Sequence, residues 1–201
     1  MFIGKYNKSV IVTYLGVISG IFGMTFAMKN KISYSMICLI ISGICDLFDG
    51  KIARMCKRDE EEKEFGIQLD SLADTFLFLG LPTVIGMKLF EALPVWFNVV
   101  FILYVIAGII RLAWFNIIAD KNGPVKYYTG LPVTFVSFIF PIVYTFSLLF
   151  DFSITYIFAA LYAIIAFLFI LNVKIPKPTG IWYAIFSVMA IAAISVIIIW
   201  G

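Results

Sequence analysis

The sequence predicts an all-α, polytopic integral membrane protein, a helical bundle of about six to seven transmembrane helices. Three observations carry that expectation. Mean hydropathy is +1.05. Only 13% of residues are charged, against roughly a quarter in a soluble domain. The apolar residues also fall in long unbroken runs. Short alternating segments would mark barrel strands, whereas a continuous run of about 20 apolar residues crosses the hydrocarbon core as a helix that satisfies its own backbone.

The candidate spans are 9–28, 33–55, 66–90, 95–118, 131–150, 154–172 and 180–200. The first run, SVIVTYLGVISGIFGMTFAM, is too long for a signal-peptide core, lacks a small-x-small cleavage site and has further spans behind it, so it reads as a retained helix. With no long linker, fixed-period repeat or low-complexity tail, a single domain over residues 1–201 is expected. If the N-terminus is cytoplasmic, only Lys29, Lys31 and Lys88 of the 15 basic residues lie on the far side, which satisfies the positive-inside bias. The hydrophilic stretch MCKRDEEEKEF, 55–65, is then a solvated cytoplasmic turn. Trp96, Trp182 and Trp200 fall where interfacial anchors belong, and Gly16 and Gly20 form a small-xxx-small pair suited to a close helix contact.

Composition also excludes chemistry. There is no histidine, which removes a Ser-His-Asp triad, a histidine metal site and a phosphohistidine intermediate. Cys38, Cys45 and Cys56 lie in or at the end of one span without metal-like pairing. The net charge of +3 is spread over several loops, which suits anionic lipid headgroups better than a nucleic acid. Carboxylates, Lys, Arg, Tyr or an oxygen-bound metal remain.

The carboxylates are concentrated. Asp46, Asp49, Gly50, Ala53 and Arg54 follow one another at i, i+3, i+4, i+7 and i+8, one face at the end of the second span. Gly66, Asp70 and Asp74 repeat the pattern at i, i+4 and i+8 on the third. A short connection makes the two helices antiparallel neighbours, so the acidic faces can meet. At mid-membrane each aspartate costs roughly 2.5–3.5 kcal/mol on the insertion scale, and a lone Arg54 cannot neutralise four. Divalent cations can, and an all-carboxylate ligand set favours hard ions, Mg²⁺ or Mn²⁺. Two such ions could clamp phosphate oxygens. The plainer alternative is a cluster held by water and salt bridges at the membrane surface. Gly50, Ala53 and Gly66 leave room for a ligand or for helix packing, and Arg54 suits a bidentate phosphate contact.

The order D-x-x-D-G-x-x-A-R followed by G-x-x-x-D-x-x-x-D, from Asp46 to Asp74, resembles the signature of the CDP-alcohol phosphatidyltransferases, with every signature position filled. The gap between Arg54 and Gly66 is longer than is usual, and its extra residues are expected to lengthen the turn. Within that family the chain resembles the phosphatidylserine synthase branch up to about residue 178: Ser71 and Thr75 follow the third and fourth aspartates, RLAWFN resembles an R-L-A-R-F-N segment with Trp114 in place of its second Arg, and YYTGLP and LNVKIPKP resemble two further segments. Gly16 stands where an Asn is common. The resemblance implies transfer of a phosphatidyl group from CDP-diacylglycerol to L-serine with release of CMP. It implies that Asp46, Asp49, Asp70 and Asp74 hold two divalent ions, that Asp74 is also the base, and that Gly50, Ala53, Arg54 and Gly66 form the CDP side. It further suggests a homodimer. The short chain without a targeting sequence is expected in the cytoplasmic membrane of a bacterium or archaeon, and the positive-inside bias places the site on the cytoplasmic side.

For the acceptor, Arg111 is expected near the serine carboxylate, with Asn116 or Tyr128 helping, because a charge within an apolar span usually has a functional partner. The alternative is an arginine that snorkels to phosphates or pairs with the aspartates. Two other functions compete. One keeps the chemistry with glycerol 3-phosphate or an inositol phosphate as acceptor, which would call for more basic residues. The other is a cation-binding transporter or channel, disfavoured because the aspartates sit at one membrane edge and no inverted repeat with broken helices is visible.

Overall fold

The computed structural model describes residues 3–91, 94–122, 127–150, 154–176 and 180–201. A 3₁₀ turn, Lys8–Val10, leads into α1 (Ile11–Met28), which is followed by α2 (Ile32–Met55). Helix α3 (Glu60–Asp74) runs through a π-helical stretch, Thr75–Gly80, into α4 (Leu81–Leu89). Then come α5 (Val99–Asn122), a short strand β1 (Tyr127–Thr129), α6 (Val136–Phe150), α7 (Ile154–Ile170), a second short strand β2 (Lys174–Pro176) and α8 (Ile181–Trp200). By length and composition five stretches can cross a membrane: Lys8–Met28, Glu60–Leu89, Val95–Ile118, Val133–Phe150 and Ile181–Trp200. Helix α2 has 24 residues but ends in the polar DLFDGKIAR segment, and α7 has 17. Each expected span thus has its helix, and the protein is a multi-pass helical membrane protein.

The acidic stretch after α2 differs from expectation. It is mostly helix, because Asp59 caps α3: the Glu62 amide donates to Asp59 Oδ1 at 2.7 Å and the Asp59 amide to Glu62 Oε2 at 3.0 Å. This reciprocal box, together with Glu60, Glu61 and Glu62 in the first turn, suits the positive end of the helix dipole. The connection is therefore only 56–59, and the extra residues of the gap lengthen α3 rather than the turn.

Helices α1 and α2 form an antiparallel hairpin without large side chains between them. Ser35 Oγ donates to the Gly23 carbonyl at 2.8 Å, Ser19 Oγ to the Cys38 carbonyl at 2.9 Å and Ser42 Oγ to the Gly16 carbonyl at 3.1 Å. Small residues let the backbones approach, and hydroxyls then bond across the gap, the usual way helices associate where lipid offers no hydrophobic drive. Leu77, from the π stretch, fits onto Gly16 and Gly20, where an added Cβ would collide with its methyl groups. The expected close contact at that glycine pair is present.

The core is aromatic. Tyr104, Tyr162, Phe78, Phe140, Phe158 and Phe169 are fully buried, and Tyr162 meets Phe101 and Tyr104 edge-on with centroids 5.1 Å apart. Two of these tyrosines also bond the main chain. Pro82 has no N–H, so the carbonyl of Phe78, four residues back, loses its helical partner. Tyr104 Oη donates to that carbonyl at 2.5 Å, and Tyr162 Oη to the Pro82 carbonyl at 2.5 Å.

One feature was not expected of an all-α chain. Strands β1 and β2 pair antiparallel, Tyr128 opposite Ile175 and Thr129 opposite Lys174. The ribbon is pinned to the end of α7 by the Gly130 amide on the Val173 carbonyl at 2.9 Å and the Leu131 amide on the Leu168 carbonyl at 3.0 Å. Gly130 has φ +75° and a Cβ there would lie 2.5 Å from the Phe169 carbonyl oxygen. Gly130→Ala is therefore expected to cost about 1–3 kcal/mol, read as a lower midpoint of thermal unfolding in detergent; an unchanged midpoint would contradict this geometry.

Candidate active site

The four aspartates meet where α2 and α3 face each other. One carboxylate oxygen from each of Asp46, Asp49 and Asp70 lies within 4.8 Å of the others, a set that could hold a metal ion. Asp74 joins through side-chain contact with Asp46, and Asp70 is in side-chain contact with Asp49. The cluster thus consists of two pairs, each with one carboxyl from either helix. Asp49 and Asp74 are buried. The chemistry of the donor set, oxygen only and acidic throughout, fits a hard divalent cation.

The cluster forms one wall of a cavity of about 1060 Å³. Of the signature residues outside the aspartates, Gly50 and Arg54 line it, whereas Ala53 and Gly66 do not. At Gly50 an added Cβ would meet only the tip of Arg54, at 3.9 Å, so the missing side chain opens the cavity and packs nothing. At Gly66 the Cβ would lie 3.4 Å from Arg58 Nη1. The lengthened first turn of α3 puts Glu61 and Glu64 on the rim, and Lys5 pairs with Glu61 at 2.5 Å.

The rest of the lining, a second wall, comes from α5, the ribbon, the segment 132–135 before α6, and α8. Arg111 is 6% exposed, so it does not snorkel. Its Cζ lies 5.0 Å from the Phe115 ring centroid and 5.7 Å from that of Tyr128, and the two rings are themselves 5.7 Å apart, so the guanidinium rests beside a tilted aromatic pair. Among the described residues it forms no ion pair within 4 Å, although its charge acts on Asp46 and Asp74. Its Nε and Nη2 are buried without a hydrogen-bond partner. These two groups lie on the same side of the guanidinium and form the fork that a carboxylate or phosphate accepts bidentately. Leaving such donors unmet costs about 1–3 kcal/mol each. Asn116 lines the same wall and is held across the helix interface, its Nδ2 donating to Ser71 Oγ at 2.8 Å. Tyr128 lines it from β1.

Sequence reasoning missed three contributors. Thr13, on α1, donates its hydroxyl to Asp49 Oδ2 at 3.1 Å; the only signal was a polar residue three positions before Gly16 in an apolar run. Tyr183 reaches the cavity from α8, and Lys51 lines it beside Gly50; neither had a motif to mark it.

With this geometry in view, comparison with known proteins is specific. The family model for CDP-alcohol phosphatidyltransferase matches residues 7–171. The chain belongs to that family. Relatives include proteins named CDP-diacylglycerol–serine O-phosphatidyltransferase from Mycobacterium tuberculosis (28% identical over 125 residues, 60% of this chain and 42% of the relative) and Helicobacter pylori (32% over 118 residues, 55% and 46%). A third, from Methanothermobacter thermautotrophicus, is named archaetidylserine synthase (28% over 127 residues, 61% and 51%). The chain spans about half the length of these relatives. The family match ends before α8, which nonetheless supplies Tyr183 to the cavity.

The two glycine environments make a paired test. Gly50→Ala is expected to leave thermal stability within about 0.5 kcal/mol of the parent. Gly20→Ala, which drives a Cβ into Leu77, is expected to cost about 1–3 kcal/mol. Thermal unfolding of the two purified variants reads the contrast, and equal losses would mean that Gly50 is a packing glycine after all.

Proposed function

We propose that this protein transfers a phosphatidyl group from CDP-diacylglycerol to the hydroxyl of L-serine, forming phosphatidylserine and releasing CMP. The observation that carries the reading is the arrangement of one cavity: two aspartate pairs on one wall face an unpartnered arginine fork on the other. The family contributes the reaction class, and the names of the relatives share serine.

Each part of the substrate pair has a complementary group. The four aspartates would hold two divalent ions, Mg²⁺ or Mn²⁺, which when bound supply the positive charge that binds a diphosphate and stabilises charge building on it. Arg54 is available to the diphosphate from the Gly50 side, with Gly50 giving the donor room to approach the helix, while Ala53 and Gly66 would act on the donor side only from behind the cavity wall. The serine carboxylate would accept from Arg111 Nε and Nη2. Asn116 and Tyr128 stand near enough to shape that end, Asn116 with its orientation fixed by Ser71. Asp74 would take the proton of the serine hydroxyl as its oxygen attacks the phosphorus bearing the diacylglycerol. The bond from that phosphorus to the bridging oxygen breaks, and the electron pair leaves with CMP. In a chain without histidine, a carboxylate is the natural base.

A phosphorylated acceptor fits less well. Among the described residues the basic side chains lining the cavity are Lys51, Arg54 and Arg111, and with Arg54 assigned to the donor, Arg111 is enough for one carboxylate but sparse for a phosphate dianion. On the same reading residues 1–201 act as one membrane domain, the cavity opens toward the cytoplasm from the cell membrane, and the protein works as a homodimer.

The test is CMP release by purified protein in detergent with CDP-diacylglycerol and Mn²⁺ or Mg²⁺, comparing serine, glycerol 3-phosphate, inositol phosphate and no acceptor. Release stimulated by serine, abolished by chelator and lowered about 10²–10⁴-fold in Asp74→Asn is the expected result. Stimulation by another alcohol would overturn the acceptor, and cation-independent release the metal. For Arg111→Ala, a raised KM for serine with an unchanged KM for CDP-diacylglycerol is expected; equal losses for both substrates would remove Arg111 from the acceptor site.

A further inference from the structure

We propose that Thr13 is a positioning residue for Asp49: its hydroxyl holds one carboxylate oxygen so that the other is presented, in a fixed orientation, to a divalent cation. The inference rests on the metal-dependent reading above and extends it to a helix that carries none of the signature.

Threonines elsewhere in this bundle bond to their own helix. Thr25, Thr75, Thr83 and Thr145 each donate to the carbonyl four residues back in their own helix, at 2.7–2.9 Å. That is the default for a threonine inside an apolar helix, where its own backbone is the nearest acceptor. Thr13 departs from it and donates across the helix interface to Asp49 Oδ2. Both residues are 8% exposed.

Position in the hairpin explains how the contact arises. Gly23 with Ser35, Ser19 with Cys38 and Gly16 with Ser42 form successive rungs between α1 and α2, each a hydroxyl on a main-chain carbonyl. Thr13 with Asp49 is the next contact, one turn further along α1 and two along α2, and the only one of the four that ends on a carboxylate. The rungs set the distance between the helices; the last converts that distance into an orientation for an acidic side chain.

The bond also has no substitute. Thr13 shares with Asp46, Asp49, Asp70 and Asp74 a space behind the cluster that has no room for a water molecule. An ionised carboxylate can only accept, and its other donor is the Gly50 amide on its own helix, so loss of the hydroxyl removes the bond that ties Asp49 to α1. The side chain would then be held from α2 alone, and the orientation it shares with Asp46 and Asp70 toward a common cation would loosen. Partners of ligating carboxylates typically change metal affinity by about 10–100-fold when removed.

The experiment is direct Mn²⁺ binding to the purified full chain in detergent, followed by electron paramagnetic resonance of free Mn²⁺. It compares the parent with Thr13→Val, which keeps the shape, Thr13→Ala, which removes the methyl as well, and Thr13→Ser, which keeps the hydroxyl. The Mn²⁺ concentration for half-maximal CMP release is measured in parallel. Expected are a dissociation constant raised about 10–100-fold in Thr13→Val and Thr13→Ala, recovery in Thr13→Ser, and the same order in the activation constants. Parent-like Mn²⁺ affinity in Thr13→Val, or an equal loss in Thr13→Ser, overturns the role of the hydroxyl while leaving the metal site standing. Failure of the parent itself to bind Mn²⁺ overturns the metal reading and this inference with it.

Discussion

Everything in this structure answers to the confinement of four carboxyls in a small volume between two apolar helices. Each aspartate costs energy to bring near a membrane interior, and proximity adds mutual repulsion. The protein accepts that cost without neutralising it: among the described residues no lysine or arginine forms an ion pair with the cluster. Arg111 acts on it from a distance while keeping two donors unmatched. A site of this kind is poised for ligands of both signs, cations on the acidic wall and an anion on the arginine. On the proposed reading, metal ions balance the charge of the acidic wall and the acceptor that of the arginine.

Holding such a cluster in register requires a stiff frame, and the frame is made of small residues and aromatic ones used differently. Glycine and serine bring α1 against α2, which fixes the backbone behind Asp46 and Asp49. On the other side, α3 reaches its last aspartate and at once changes to a π stretch, Thr75–Gly80. A π turn shifts the helical phase, so the polar face ends at Asp74 and the next residues, Leu77, Phe78 and Leu79, are all buried. Pro82 then leaves a carbonyl unbonded, which Tyr104 takes up. The break in the helix is thus tolerated because α5 supplies the missing donor, as irregular backbone in a membrane demands.

Legibility in the sequence followed the range of the interactions. The helices were readable because apolar runs of membrane length have few other solutions, and the aspartate faces because i, i+3 and i+4 spacing is local geometry. The lengthened α3 was misread as a turn because its acidic composition looks like a solvated loop, although the Asp59 and Glu62 capping pair was present in the sequence. The π stretch has no local signature among Thr75–Gly80. Ribbon pairing joins segments more than 40 residues apart, and three-residue strands are too short to show alternation. Thr13 and Tyr183 belong to helices whose pattern says only that they face lipid or core; what they touch is decided by packing. Gly50 and Gly66 looked equivalent in the motif, and only the structure separates the glycine that opens a cavity from the one that does not line it.

This division of range has a consequence for how reaction and selectivity are built. The acidic wall lies within residues 46–74, on two helices joined by a four-residue connection, with α1, α6 and α8 packed against α2 and Asn116 of α5 bonded to Ser71 of α3. The arginine wall has no such local origin. Arg111 comes from α5, the ring of Tyr128 from β1, and β1 is held by β2, by the end of α7 and by the Tyr128 ring against Phe115. Changes in loop length or in α7 can therefore reach the arginine wall through the ribbon, whereas α8 also packs on α2, with Tyr183 against Phe48, so changes there reach both walls. A shift of α2 against α3 would separate both aspartate pairs. On the proposed reading, phosphatidyl transfer falls to the half of the cavity built from one local hairpin, and the choice of acceptor to the half assembled from distant parts of the chain.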